Sequence, residues 1–213
     1  NNFVLSYGNS AYIEINADLT LAGSWNRTGG KVEAIATHNT GTVSMAGDFG
    51  LNPSKSSPHT RYIMTSDTAV LNVGGEMTLS RNDTGTDDRF VQHAGTVTIG
   101  GDLGNASGGS TYMGYAAYEL YSGSLSVAGE GSIGWKAGGW TDFAQSGGSA
   151  SFGSIEAPGD YNDPGHGRVI LSEAAVTAVT NDVLIGRDSA SGGGWGELHL
   201  VGSKTGDGTD MSI

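Results

Sequence analysis

Residues 95–103 read GTVTIGGDL, and nearly the same phrase returns as GTVSMAGDF at 41–49 and as GSLSVAGEG at 123–131. A phrase repeated at near-constant spacing marks a repeat architecture, in which a unit too small to bury its own apolar face is stabilised by stacking on copies of itself. Alignment on the first apolar residue of the phrase gives the anchors Ile13, Val43, Leu71, Val97, Leu125, Ala150, Val176 and Leu198, separated by 30, 28, 26, 28, 25, 26 and 22 residues. Two positions beyond each anchor stands a second one: Ile15, Met45, Val73, Ile99, Val127, Phe152, Ala178 and Leu200. A corner follows, written as glycine and then an acid at Gly47-Asp48, Gly75-Glu76, Gly101-Asp102 and Gly129-Glu130.

After the corner comes a short third piece, as in Phe49/Leu51 and Met77/Leu79, and upstream of each anchor lies another alternating piece such as FVQH, YELY or VILS. Period-two alternation broken by glycine corners is the pattern of short strands. The sequence therefore predicts an all-β chain, a single-stranded parallel β-helix (β-solenoid) of about eight coils of roughly 26 residues, with three short strands per coil. It reads as one domain over residues 1–213. A β-sandwich also alternates, but has no reason to repeat one phrase. The poorest match is 173–185, where EAAVTAV also suits a helical turn.

Composition narrows the function classes. Of 213 residues, 37 are glycine and none is cysteine, which removes disulfides and thiolate metal sites. The net charge of −12 would repel nucleic acid, and no run approaches the roughly 18 apolar residues of a membrane span. The chain begins at Asn1, as a processed product or an excised fragment would. Sparse charge with abundant Gly, Ser and Thr points to an extracellular or cell-surface protein.

Alternation also assigns the faces. Beside the inward anchors, Thr42/Ser44, Thr96/Thr98, Ser124/Ser126, Ser149/Ser151 and Thr177 form an outward hydroxyl face, interrupted at Val70/Asn72 and Glu197/His199. An ordered array of this kind would suit ice or a crystal surface; the mixture and the interruptions favour ordinary soluble strand residues. His38, Gln92 and Gln145 fall at an inward position of the first strand, which reads as a stacked internal polar ladder. A polysaccharide-cleaving enzyme on this fold needs a row of carboxylates with a cation. The outward positions read for the first strand, such as Glu119/Tyr121, Ala144/Ser146 and Ile170/Ser172, present no such row, so no catalytic residues are assigned.

The variable connections between coils project along one edge and hold the candidate ligand sites. Trp135, Trp140 and Trp195, with Tyr112 and Tyr161, offer aromatic faces on which sugar rings could stack, and Trp25 is read with them; packing of the same rings on the coil flank is the simpler account. Asp160, Asn162 and Asp163 in DYNDPGHG are oxygen donors of the kind calcium takes, and Asx-rich turns are the simpler account of them. No other cofactor is implied. Asn26, Asn82 and Asn105 head glycosylation sequons, a number expected by chance in such a chain.

The phrase GTVTIGGDL, with FVQHAG before it and YELYSGSLSVAGEGSIG after it, resembles the glycine-rich repeats of bacterial secreted solenoid proteins. These include autotransporter passenger domains and surface proteins with PEP-CTERM-type sorting tails. The resemblance implies export and a structural or adhesive role: a rod segment of a surface adhesin, sheath or filament, stacked end to end with its own kind or continuous with a longer solenoid. A carbohydrate-binding module, or a polysaccharide-degrading enzyme working from the loop edge, is the alternative.

Overall fold

The computed structural model describes residues 3–5, 11–27, 33–51, 59–79, 83–104, 113–134, 140–158, 165–172, 174–186, 195–201 and 210–212. Among these residues there is no helix, and every strand pairing is parallel. The chain winds as a stacked parallel β-solenoid.

The first sheet has eight strands, stacked in chain order: Ala11–Ile15, Ala34–His38, His59–Met64, Asp83–Gln92, Met113–Leu120, Trp140–Gln145, His166–Ser172 and Trp195–Val201. The second sheet carries the anchor strands, among them Gly41–Met45, Ala69–Val73 and Thr96–Ile99, together with the short pieces beyond the corner, such as Phe49–Gly50 and Met77–Thr78. The two sets of strands join because Ser124–Ser132 and Ser149–Ala157 run through the corner unbroken, bending at a register shift between Val127 and Glu130. At those two levels the expected middle and third strands are one element.

Inside, side chains stack on their counterparts in the turns above and below. Val43, Leu71, Val97 and Leu125 are successive partners and are all buried. From the first sheet, Tyr62, Phe90 and Tyr118 form a column with ring centroids 5.2 and 4.7 Å apart and planes within 16°. Parallel in-register stacking forces identical positions to within about one strand spacing of each other, so rings at one position stack face on. Trp25 lies in this core, stacked on Phe49 with centroids 6.0 Å apart, and is not an edge residue.

Three anchors need correction. Ile13 and Leu198 belong to the first sheet, where they pair with Ala36 and Val169. The counterpart of Val43 in the preceding turn is Leu19. In the later turn Ala150 pairs with Thr177 and not with Val176, so Ala175, Thr177 and Val179 face inward while Val176 is 51% exposed.

The Gly-acid corner has a steric origin. Asp48 Oδ1 accepts a hydrogen bond from the Glu76 amide at 3.1 Å, and Asp102 Oδ1 accepts one from the Glu130 amide at 2.8 Å. The carboxylates lie where a Cβ on Gly75 or Gly129 would stand. Glycine therefore makes room for the acid of the turn before it.

At Gly123, φ is +87° and a Cβ would run into the Gly95 carbonyl oxygen. At Gly186, φ is +71° and, among the described residues, nothing lies within 4 Å of such a Cβ. Gly186→Ala is expected to lose about 1 kcal/mol, the cost of left-handed backbone alone, and Gly123→Ala at least about twice that. Urea midpoints of the two variants check the ordering; equal losses would show that stacking distance does not constrain the corner.

Candidate functional site

Four regions carry candidate chemistry: the inward polar positions, the edge aromatics, the outer face of the first sheet and the hydroxyl face of the second. The polar positions form no stacked ladder. His38, Met64, Gln92, Leu120, Gln145 and Leu171 are successive partners in one row, so polar and apolar residues alternate. Each polar member works as a cap. Gln92 Nε2 donates to the Gly95 carbonyl at 2.9 Å and to the Ser124 carbonyl of the next turn at 3.0 Å, while its Oε1 accepts from the Tyr118 hydroxyl at 2.7 Å. Gln145 repeats the arrangement with the carbonyls of Gly148 and Val176 at 3.0 and 3.1 Å, and Thr177 Oγ1 donates to its Oε1 at 2.6 Å.

His38 fills the same slot, with Nε2 2.9 Å from the Gly41 carbonyl and Nδ1 3.0 Å from the Tyr62 hydroxyl. The bonds fit the neutral ring, with Nε2 donating and Nδ1 accepting. Burial holds the His38 pKa below its ordinary 6.5, against the opposing pull of the backbone bonds. Burial likewise raises the Tyr62 and Tyr118 phenols, which stay protonated donors. These groups are structural.

The edge aromatics are only partly within the described residues. Trp135, Tyr112 and Tyr161 lie outside them, as do Asp160, Asn162 and Asp163 of the calcium reading and the sequons at Asn82 and Asn105. Among the described residues no group of three His, Cys, Asp or Glu side chains could hold a metal ion. Trp140 and Trp195 begin strands of the first sheet and do not sit in loops. They meet edge to face at 5.1 Å, and His166, from the strand between them, stacks on Trp140 at 4.8 Å. The Arg168 guanidinium also lies over the Trp140 ring at 5.2 Å. Both indoles remain more than one third exposed.

The outer face of the first sheet carries a charged cluster that sequence reasoning missed. Arg89, Ala117, Asp142, Arg168 and Glu197 are successive partners, flanked by Asp87 and Glu119. Arg168 grips Asp142 with two bonds of 2.8 and 2.6 Å, and the Tyr115 hydroxyl donates to the same carboxylate at 2.7 Å. Arg89 bridges Asp87 at 2.7 Å and Glu119 at 2.6 Å, and lies over the Tyr115 ring at 5.3 Å. Burial and the Asp142 bond raise the Tyr115 phenol, and hydrogen bonding to Asp87 and Asp142 raises Arg89 and Arg168 respectively. A row of carboxylates with cations is thus present where none was expected. Each acid is held: Asp142 by Arg168 and Tyr115, Glu119 by Arg89, Asp87 by Arg89, and Glu197 by a 2.6 Å contact to His199. Charge-assisted bonds of this kind fix neighbouring turns to each other.

The outward hydroxyl face of the second sheet is also in register. Ser124 donates to Thr96 at 3.3 Å and Ser151 to Ser126 at 3.3 Å, while Asn72 donates to Ser44 at 3.2 Å. Its continuation at Val176 and Ala178 is apolar, and Thr177 is inside. No protein-family model, curated protein or solved structure matches the chain.

The His38 cap carries a pH dependence. Because its folded pKa lies below the unfolded value, the unfolded chain takes up the proton first. The stability from the neutral ring is complete above about pH 6.5 and declines as pH falls through that value toward the folded pKa. His38→Gln is expected to keep both bonds, as Gln92 does, and to flatten this part of the curve. Urea midpoints between pH 7.5 and 5 compare the two proteins; parallel curves would exclude His38 as the titrating group.

Proposed function

We propose that the chain is a rod segment of an extracellular structural protein, a surface adhesin, sheath or filament. In this reading residues 1–213 form one domain of about eight coils of roughly 26 residues, three short strands per coil. The observation that carries it is that, among the described residues, core amides and outer-face carboxylates are bonded from one turn to the next. The amides of Gln92 and Gln145 cap corners, and the acids of the outer face clamp one turn to the next. An assembly so invested in its own stacking is suited to holding length and stiffness. The glycine-rich repeats resembling those of bacterial secreted solenoids support the same reading, and no catalytic residues are proposed.

Leu200 continues the inward row after Leu171 and is 56% exposed. An inward apolar position left open is a surface that a further turn covers, supplied by a second copy or by more of the same chain. Electron microscopy of the purified chain across concentrations is expected to show elongated particles that lengthen by end-to-end stacking, and gold-labelled antibody is expected on intact cells of the source organism. Labelling confined to the cell interior would overturn the reading, and particles of one length at every concentration would remove the self-stacking part.

A second reading, carbohydrate binding at the edge, draws on Trp140 and Trp195, whose rings come together while still exposed. Calcium at Asp160, Asn162 and Asp163 remains a proposal of the sequence alone.

A further inference from the structure

On the outer face of the first sheet, past the ion-pair cluster, lies an open groove of about 190 Å³. Glu119, Tyr121, Ala144, Ser146, Ile170 and Ser172 line it. Its geometry follows from the stacking. His93, Tyr121, Ser146 and Ser172 each follow a residue of the capping row, so they occupy one position in four successive turns. One face of the Tyr121 ring rests on His93, with centroids 5.0 Å apart and planes at 25°. The opposite face looks along the stack, over the serines that have no ring to place against it. Tyr121 is thus a wall with one free aromatic face, 47% exposed.

The other surfaces define the ligand. Glu119, Ala144 and Ile170 are successive partners in the next outward row, so the floor is apolar beside Ala144 and Ile170 and polar at Glu119. The Glu119 carboxylate is fixed before any ligand arrives, by Arg89 at 2.6 Å and the Tyr121 hydroxyl at 3.2 Å. A carboxylate oxygen accepts more than one bond, so both retain acceptor capacity. Ser146 and Ser172 continue the row of Tyr121, and the Ser172 hydroxyl donates to the Gln145 carbonyl at 3.5 Å. A flat aromatic face, a small apolar floor and a polar rim match a molecule with an apolar ring face and a hydroxylated edge. A pyranose has that shape, and the groove is sized for one ring and not for a drug-sized ligand. Along this face Asp87, Glu119, Asp142 and Glu197 stand against Arg61, Arg89 and Arg168, an acidic excess that disfavours anionic sugars.

We propose that the groove beside Tyr121 binds one ring of an uncharged glycan. The site lies apart from the Trp140–Trp195 pair and does not depend on the rod reading, since it is complete within one chain.

Saturation-transfer NMR on the whole chain tests it, with the methyl glycosides of glucose, galactose and mannose as probes and methyl glucuronide as the anionic comparison. At least one neutral glycoside should receive saturation and bind in the millimolar range, with the glucuronide clearly weaker. Tyr121→Ala should weaken binding about tenfold or more, and Tyr121→Phe should retain it within a few fold. Ala144→Leu, which fills the floor without touching the ring, should also abolish binding, and thermal melts of all variants confirm that they fold. No transfer to any neutral probe, equal transfer to the glucuronide, or unchanged binding in Tyr121→Ala would each overturn the proposal. Loss in Trp140→Ala with retention in Tyr121→Ala would place the glycan on the indole pair and overturn it as well.

Discussion

The corner is where a parallel stack is weakest. Along a strand, each amide and carbonyl finds its partner in the turn above or below, about 4.8 Å away. Where the chain turns, the Gly95 and Gly148 carbonyls each keep one backbone bond, from the Ser124 and Val176 amides of the next turn, and have a second acceptor position left for a donor from the core. The chain answers with a side-chain amide from within the core. Gln92 and Gln145 each donate to two carbonyls, one in their own turn and one in the next. Because one amide serves two turns, the following turn is free to place leucine at the same position, and it does so at Leu120 and Leu171. At Gln92 and Gln145 the alternation with leucine follows from two donors on one nitrogen, while the neutral His38 ring gives its single N–H to the Gly41 carbonyl of its own turn.

That arithmetic makes the repeating unit two turns, not one. His38, Gln92 and Gln145 are 54 and 53 residues apart. The corner acids keep the same beat: Asp48 and Asp102, 54 residues apart, reach up to bond the next turn, while the intervening Glu76 and Glu130 supply the amides they bond. Among the described residues, only Gly75 and Gly129, each above an aspartate, have a carboxylate filling the space where their Cβ would be. The signal was present in the sequence as an Asp/Glu alternation beneath the conspicuous single-turn phrase, and the phrase masked it.

Much of the fold is legible in the residues because the side chains obey a local rule. Val43, Leu71, Val97 and Leu125 alternate correctly and pair as the phrase implies. The misreadings occur where the local rule has two solutions. In EAAVTAV, either Val176 and Ala178 or Ala175, Thr177 and Val179 can face inward, and each choice buries one valine and exposes the other. What decides is the Gln145 Oε1 buried opposite, which takes its hydrogen bond from Thr177, 32 residues away. With the valines balanced, a buried acceptor that would otherwise lack its donor decides the register. Ile13 and Leu198 fail for a simpler reason: first-sheet and second-sheet strands alternate alike, so an anchor chosen by alternation can slip to the wrong sheet at the ends, where no flanking phrase corrects it.

The candidate site was less legible than the fold, because it exists only between turns. Asp142, Arg168 and Tyr115 lie in three different turns, and nothing adjacent to Asp142 in sequence announces a cation. Their meeting depends on connections of unequal length delivering each strand in register, which the alternation does not encode. Once delivered, the pairing limits chemistry. A carboxylate gripped twice by a guanidinium and once by a phenol has those acceptor positions taken up in joining turns. A fixed carboxylate also orients a hydroxyl better than a mobile one and loses no rotamer freedom in doing so. Glu119, held by Arg89 beside the open groove, is fixed in that way with acceptor capacity to spare, which is the property the glycan proposal uses.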